Sequence, residues 1–214
     1  MFMRLLLLML SWVLIANCNA DTPKWELGKH YFAINPAQPT STGDKVEVLE
    51  VFSYACPHCA HFQTYAEQIK ASLPKEATFA YMPAIFQPTW EPFARAFYTA
   101  QALGIAEKSH QALFDAVHRD HKSLHTIEEL AGFYADYGVK PEAFLSTARS
   151  FVIESQMAHA VDMVSKYGVE GTPTLIVNGK YRVAASAEAG VGYPEVVEIV
   201  DTLVKQEIAG KKAK

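Results

Sequence analysis

An α/β protein in which an all-helical block interrupts a small sheet is the fold this sequence predicts, and three observations predict it. An apolar, β-branched run leads straight into Cys56-Pro57-His58-Cys59 and continues as an amphipathic helix. From Trp90 to about Gly168 the pattern is helical throughout, with no convincing strand. Two short strand-like runs around Asn178-Gly179 then precede a last amphipathic helix.

The chain opens with a segment that stands apart from the fold. Met1 to Arg4 carries one positive charge, Leu5 to Ala16 is almost unbroken in apolar character, and Cys18-Asn19-Ala20 offers small residues before Asp21. That is the outline of a secretory signal over residues 1–20, too short for a comfortable membrane span. Cys18 admits a second reading as an acylated lipoprotein cysteine, against which Asn17 is a poor fit to the small residue that such processing prefers. Cleavage before Asp21 leaves Cys56 and Cys59 as the only thiols of an exported protein, so a structural disulfide framework is not expected.

Residues 45–54 read as a largely buried strand. In the helix that follows, Cys59, Phe62, Ala66, Ile69 and Leu73 recur at three- and four-residue steps, and Pro74 marks the end. Thr78 to Pro83 reads as a second, parallel strand, which completes a βαβ unit with the default right-handed crossover. Pro92, Ala106, Thr126 and Pro141 lie near helix starts, and Gly104, Gly132 or Gly138 serve as interruptions or ends. Thr174 to Val183 forms a hairpin about Asn178-Gly179, and Pro194 opens a helix through Val196, Val200, Leu203 and Val204. The expected organisation is a discontinuous sheet domain, 21–87 and 168–214, around a helical insertion, 88–167.

At 214 residues and 50% hydrophobic content the chain can bury a substantial core. Its formal charge of −4 becomes one unit more negative when residues 1–20, with Arg4 and no acid, are removed, so nucleic acid is not an expected partner. The terminal Lys211-Lys212-Ala213-Lys214 reads as a solvated end without assigned function.

Chemistry concentrates at the cysteines. Residues i and i+3 of a helix place their Cβ atoms about 5–6 Å apart, close enough to open and close a disulfide. Pro57 suits the first helical position, where no N–H is needed, which sets Cys56 at the helix start and Cys59 one turn in. Cys59 shares the apolar face and should be buried; Cys56 faces the free N–H groups and positive end of the helix. Cys56 is therefore the expected nucleophile and Cys59 the resolving thiol. A helix terminus contributes about 0.3–1 kcal/mol to a nearby anion, roughly one pKa unit at most, so direct N–H donors and His58 must add to it if the thiolate is to be strongly stabilised. A stabilised thiolate favours the reduced protein and makes its disulfide an oxidant. A zinc clip from Cys56, His58, Cys59 and His61 is the competing reading, although structural zinc sites draw paired ligands from two separated segments.

The run Val48 to Cys59, the later Gly171-Thr172-Pro173-Thr174 and the helical insertion closely resemble the DsbA family, bacterial periplasmic thiol:disulfide oxidoreductases of thioredoxin fold. The resemblance covers essentially the whole mature chain. It implies a thioredoxin fold with an inserted all-helical domain, a disulfide oxidase acting on unfolded secreted proteins, and no cofactor. It also implies a periplasmic monomer reoxidised by a quinone-linked inner-membrane protein of the DsbB type. By the same resemblance Pro173 is a cis-proline opposite the cysteines, and Thr172 faces the thiols where many members carry Val.

Glu50 is the one ionisable residue on the strand face that also carries Val46, Val48 and Phe52. The pattern alone leaves open a carboxylate reaching water at the sheet margin or a buried acid of raised pKa; the resemblance implies the buried acid, managing the proton of Cys59. His110, His118, His121 and His125 are expected at helix caps, loops and solvated faces, and Phe86, Trp90, Phe93, Phe97 and Tyr98 in the core and junction of the helical block. The rival functions are a reductase or isomerase of the same superfamily and a redox-inert chaperone or metal-binding module.

Overall fold

The computed structural model describes residues 24–213. The expected leader, its cleavage point and Cys18 lie outside those residues. The first strand among the described residues is the short edge strand β1 (Phe32–Ala33), which the sequence pattern does not announce because it has two residues. Strand β2 (Val46–Phe52) follows and is buried at all seven positions. Helix α1 (Pro57–Ser72) carries the chain across to β3 (Ala77–Pro83), which pairs parallel to β2 from Val46 opposite Ala77 to Phe52 opposite Pro83.

After the helical block come β4 (Thr174–Val177), β5 (Tyr181–Val183) and helix α7 (Tyr193–Lys212). The sheet order is β1-β5-β4-β2-β3, and β4 runs antiparallel to β2 from Val48 opposite Val177 to Val51 opposite Thr174. Asn178 and Gly179 both take positive φ, 52° and 66°, and Lys180 N–H donates to the Val177 carbonyl at 3.0 Å, as the Asn-Gly hairpin signal predicts.

Strand β2 is buried on both faces because helices cover both sides of it, and apart from Glu47 and Glu50 its residues are apolar. Val46 and Val48 pack with Phe62, Ala66 and Ile69 of α1 and with Val200, Leu203 and Val204 of α7. Leu49 and Val51 face the other way, against Met163, Val164 and Tyr167 at the end of α6 (Phe151–Lys166). Each fully buried Val or Leu contributes about 1.5–3 kcal/mol, so the strand holds its place although it also encloses Glu50.

The helical block is α2 (Glu91–Ala102), α3 (Ala106–Phe114), α4 (Ile127–Ala135), α5 (Pro141–Ala148) and the first half of α6. Its starts have local causes. Thr126 and Glu129 form a reciprocal capping box on α4, and Ser150 Oγ accepts from Ile153 N–H at the start of α6. Gly132 lies inside α4 rather than at an end or interruption, because the packing of Leu130, Ala131 and Tyr134 holds that turn helical.

Phe52 and Tyr54 join sheet to block, with ring centroids 5.3 Å from Phe97 to Phe52 and 4.9 Å from Phe114 to Tyr54. Two histidines depart from expectation here. His110 is buried in this aromatic cluster, where its Nδ1 and the Tyr54 hydroxyl share a 2.8 Å hydrogen bond. After α3 the chain makes a π-helical turn (Asp115–Arg119), and this turn brings His118 Nε2 within 2.7 Å of the Tyr54 carbonyl, to which it donates. His121 and His125 are exposed as expected. Phe93, Phe97 and Tyr98 are core, whereas Phe86 is exposed and Trp90 half-buried.

Candidate active site

At the end of β2 the chain turns through Ser53-Tyr54-Ala55. Ser53 accepts twice, its carbonyl from Cys56 N–H at 3.1 Å and its Oγ from Ala55 N–H at 3.2 Å. Cys56 then caps α1 in extended conformation, with Pro57 in the first turn, and its carbonyl accepts from Ala60 N–H at 3.2 Å. Its side chain therefore lies at the helix end where backbone N–H groups are free. The burial contrast between the thiols is narrower than the helical phase suggested, since Cys56 is 5% and Cys59 0% exposed.

The Thr172-Pro173 peptide bond is cis and brings Thr172 against the cysteines. The two thiols are unlinked, and Cys56 Sγ donates to the Thr172 carbonyl at 3.4 Å. Thr172 Oγ1 is enclosed and makes no hydrogen bond to N or O among the described residues, which leaves it free to donate to a sulfur anion.

The site separates the acidities of its two sulfurs. The Cys59 thiol donates to the Cys56 sulfur, and Thr172 and the backbone N–H groups of Cys59 and His58 add to this; against opposing burial, they bring Cys56 down from 9.0 to about 5. Burial, together with that same donated hydrogen bond and the nearby charges of Glu50 and Cys56, pushes Cys59 far above the ordinary thiol range. His58 enters through its backbone N–H, while its side chain is exposed.

Glu50 is fully enclosed, and neither carboxyl oxygen makes a hydrogen bond among the described residues. Burial pushes it up to about 8, partly opposed by Lys70, so the margin alternative does not hold. Lys70 Nζ is engaged elsewhere, 2.6 Å from Glu67 Oε1 and 4.6 Å above the Tyr81 ring.

Beside the thiols lies an open groove of about 550 Å³ lined by Phe32, His58, Thr172, Pro173, Arg182 and Tyr193 among others. Tyr193 OH donates to the His58 carbonyl at 3.4 Å, which ties the start of α7 to the cysteine turn. Sequence reasoning missed Tyr193 and Phe32. An aromatic residue directly before the Pro194 helix start was the available signal for the first; the two-residue β1 gave none for the second. Among the described residues no three His, Cys, Asp or Glu side chains converge to hold a metal ion.

Comparison with known proteins places this arrangement. A profile of the DSBA-like thioredoxin domain matches residues 47–193. The thiol:disulfide interchange protein DsbA of Pseudomonas aeruginosa is 37% identical over 204 residues, covering 95% of this chain and 96% of that protein. The crystal structure of Pseudomonas aeruginosa DsbA superposes with a TM-score of 0.80 at 38% identity, over 88% of this chain and 97% of the other. The oxidoreductase DsbA from Xylella fastidiosa gives 0.78 at 37% identity, over 84% and 96%.

Proposed function

The chain belongs to the DSBA-like thioredoxin-domain family and is a thiol:disulfide oxidoreductase; from that premise we propose that it works as an oxidase, donating a Cys56–Cys59 disulfide to exported proteins. A client thiolate attacks Cys56 Sγ. The Cys56–Cys59 bond breaks, Cys59 leaves as a thiolate and takes a proton, and the client is held on Cys56 in a mixed disulfide. A second client thiolate attacks the client sulfur of that bond, and Cys56 leaves as a thiolate. The client loses two electrons, which reduce the protein's disulfide to a dithiol.

The observation that carries the direction is the position of Cys56 at about 5. At neutral pH that thiol is mostly ionised and is a good leaving group, which favours release of oxidised client and disfavours the reverse. Cys59, held protonated, serves as the resolving thiol, and Glu50 as the acid that supplies and accepts its proton. Thr172 supports the sulfur anion, Pro173 keeps the neighbouring backbone open toward the groove, and His58 contributes its N–H at the sulfur and its ring at the groove wall.

Clients are unfolded exported chains lying in the groove beside Pro173, and reoxidation falls to a DsbB-type quinone-linked inner-membrane protein meeting the same surface. No cofactor takes part, and the protein acts as a periplasmic monomer. The thioredoxin domain comprises 21–87 and 168–214, and the helical domain 88–167.

Cys56→Ser tests the proposal against a redox-inert chaperone: an oxidase loses all turnover on a reduced two-cysteine peptide, whereas persistence of the same effect on client folding would favour the chaperone. Equilibration with glutathione tests direction, because a thioredoxin-like potential would favour a reductase.

A further inference from the structure

Tyr54 lies two residues before Cys56, and one stretch of the helical block holds it at three points. His110 Nδ1 meets its hydroxyl at 2.8 Å, the Phe114 ring centroid lies 4.9 Å from its own, and His118 Nε2 reaches its carbonyl oxygen at 2.7 Å. These three residues are spaced by four, a spacing that a regular α-helix does not keep on one line. At roughly 3.6 residues per turn each step of four overshoots by about 40°, which would set His118 about 80° round the axis from His110.

The chain corrects this drift at Asp115. There α3 gives way to the π-helical turn (Asp115–Arg119), closed by Asp120 N–H on the Asp115 carbonyl at 2.9 Å, and the slower winding turns His118 back toward Tyr54. Arg119 clasps the turn through Asp115 Oδ2 at 2.8 Å and Asp120 Oδ1 at 2.9 Å. The His118 ring stacks on Phe114, with centroids 6.2 Å apart and planes 28° from parallel. A carbonyl oxygen only accepts, so Nε2 carries the proton of this bond.

The bond falls on the peptide that aims Cys56. The Tyr54–Ala55 peptide group is held at its oxygen by His118 and at its nitrogen by Ser53 Oγ, at 3.2 Å. Ser53 also takes Cys56 N–H on its carbonyl at 3.1 Å, which seats Cys56 as the cap of α1. A tilt of that peptide would move Cys56 Sγ relative to the N–H groups of His58 and Cys59 that bond it. Such bonds weaken steeply with angle, so a small tilt costs thiolate stabilisation.

We propose that His118 is a positioning residue of the redox site: the π-helical turn presents its Nε2–H to the Tyr54 carbonyl, and this bond holds the Ser53–Cys56 turn so that backbone N–H groups of α1 point at the Cys56 sulfur. His118 acts through the Tyr54 carbonyl and not on the sulfur itself. By this route the helical block sets the oxidising strength of a disulfide that belongs to the sheet. The proposal rests on the reading of Cys56 as a stabilised thiolate.

Three variants of the mature protein test it, each followed by thiolate absorbance against pH and by equilibration with glutathione. His118→Phe keeps a ring on Phe114 and removes the donor; His118→Ala removes both; His118→Gln restores an uncharged N–H donor. The Cys56 midpoint should rise by about half a pH unit in His118→Phe and His118→Ala, a threefold change in ionisation constant, with a matching loss of oxidising strength. His118→Gln should return both to the wild-type values, which assigns the effect to the bond rather than to an imidazolium charge. Loss of unfolding stability with wild-type midpoints in His118→Phe and His118→Ala, or a shift in His118→Gln as large as theirs, overturns the proposal and leaves the oxidase reading standing. A wild-type midpoint near 9 overturns that reading and the proposal with it. A folding defect in His118→Ala leaves His118→Phe, which retains the packing, to decide.

Discussion

Cys56 Sγ sits 3.4 Å from the carbonyl oxygen of Thr172, and this contact joins the start of α1 to the cis peptide before Pro173. The neutral thiol donates to that oxygen, but a thiolate cannot. Ionisation therefore removes this bond and leaves the sulfur to the Cys59 thiol, the Thr172 side chain and the backbone N–H groups of Cys59 and His58. It also frees the Thr172 carbonyl at the groove.

Thr172→Val removes one donor while keeping the branched shape. The Cys56 midpoint, followed by thiolate absorbance, should rise by about one pH unit and the disulfide should become less oxidising. An unchanged midpoint would remove Thr172 from the site.

His58→Ala keeps the backbone N–H that the structure places at the sulfur. Its effect on the Cys56 midpoint should be upward and smaller than that of Thr172→Val, below about one pH unit. A larger rise would assign the missing stabilisation to the imidazole.

The dithiol and disulfide forms should differ in their pH dependence. In the dithiol form the folded Cys56 lies at about 5 against 9.0 for a free thiol, so folding stability from this group is fully present above pH 9. It is lost as pH falls toward 5. The disulfide form has no such group, and urea unfolding of both forms from pH 9 to pH 5 should show the dithiol form losing stability relative to the disulfide form as pH falls.

Glu50 gives the opposite sign. Its folded value of about 8 lies above the ordinary 4.5, so the folded protein holds the proton more tightly and the contribution is lost as pH rises through 8. Glu50→Gln should therefore gain stability over wild type at pH 9 relative to pH 5, by about 2–4 kcal/mol, and slow closure by Cys59. Equal unfolding midpoints at both pH values would contradict an enclosed carboxyl.

His110→Ala should destabilise by about 2–4 kcal/mol, through a cavity in the aromatic junction and an orphaned Tyr54 hydroxyl. Because burial holds His110 down at about 3, wild-type stability from this group should also fall between about pH 6.5 and 3, a dependence that the variant loses.

Much of the site was legible because its signals are local. The Cys56-Pro57 step fixes the helix start, the spacing to Cys59 fixes its phase, and Glu50 breaks an otherwise apolar strand face. The cis bond at Pro173 followed from family resemblance and not from any property of the dipeptide. What stayed illegible depends on distant chain segments. His110 looks like a helix-surface histidine until α3 is laid against Phe52 and Tyr81, and Tyr193 meets His58 only because α7 packs beside α1. From the sequence the acidity of Cys56 is expected to come from the helix end, direct N–H donors and His58; in the fold the N–H groups of Cys59 and His58 contribute, but the Cys59 thiol is the largest source, a contact that helical spacing permits but does not specify.

A stabilised Cys56 thiolate makes the disulfide of this protein an oxidant. Titration of thiolate absorbance in the dithiol form, from pH 3 to pH 10, tests it most directly. The expected result is a single midpoint near 5, with Cys59 silent over that range, and loss of the transition in Cys56→Ser. A midpoint near 9, as for an ordinary thiol, would contradict it.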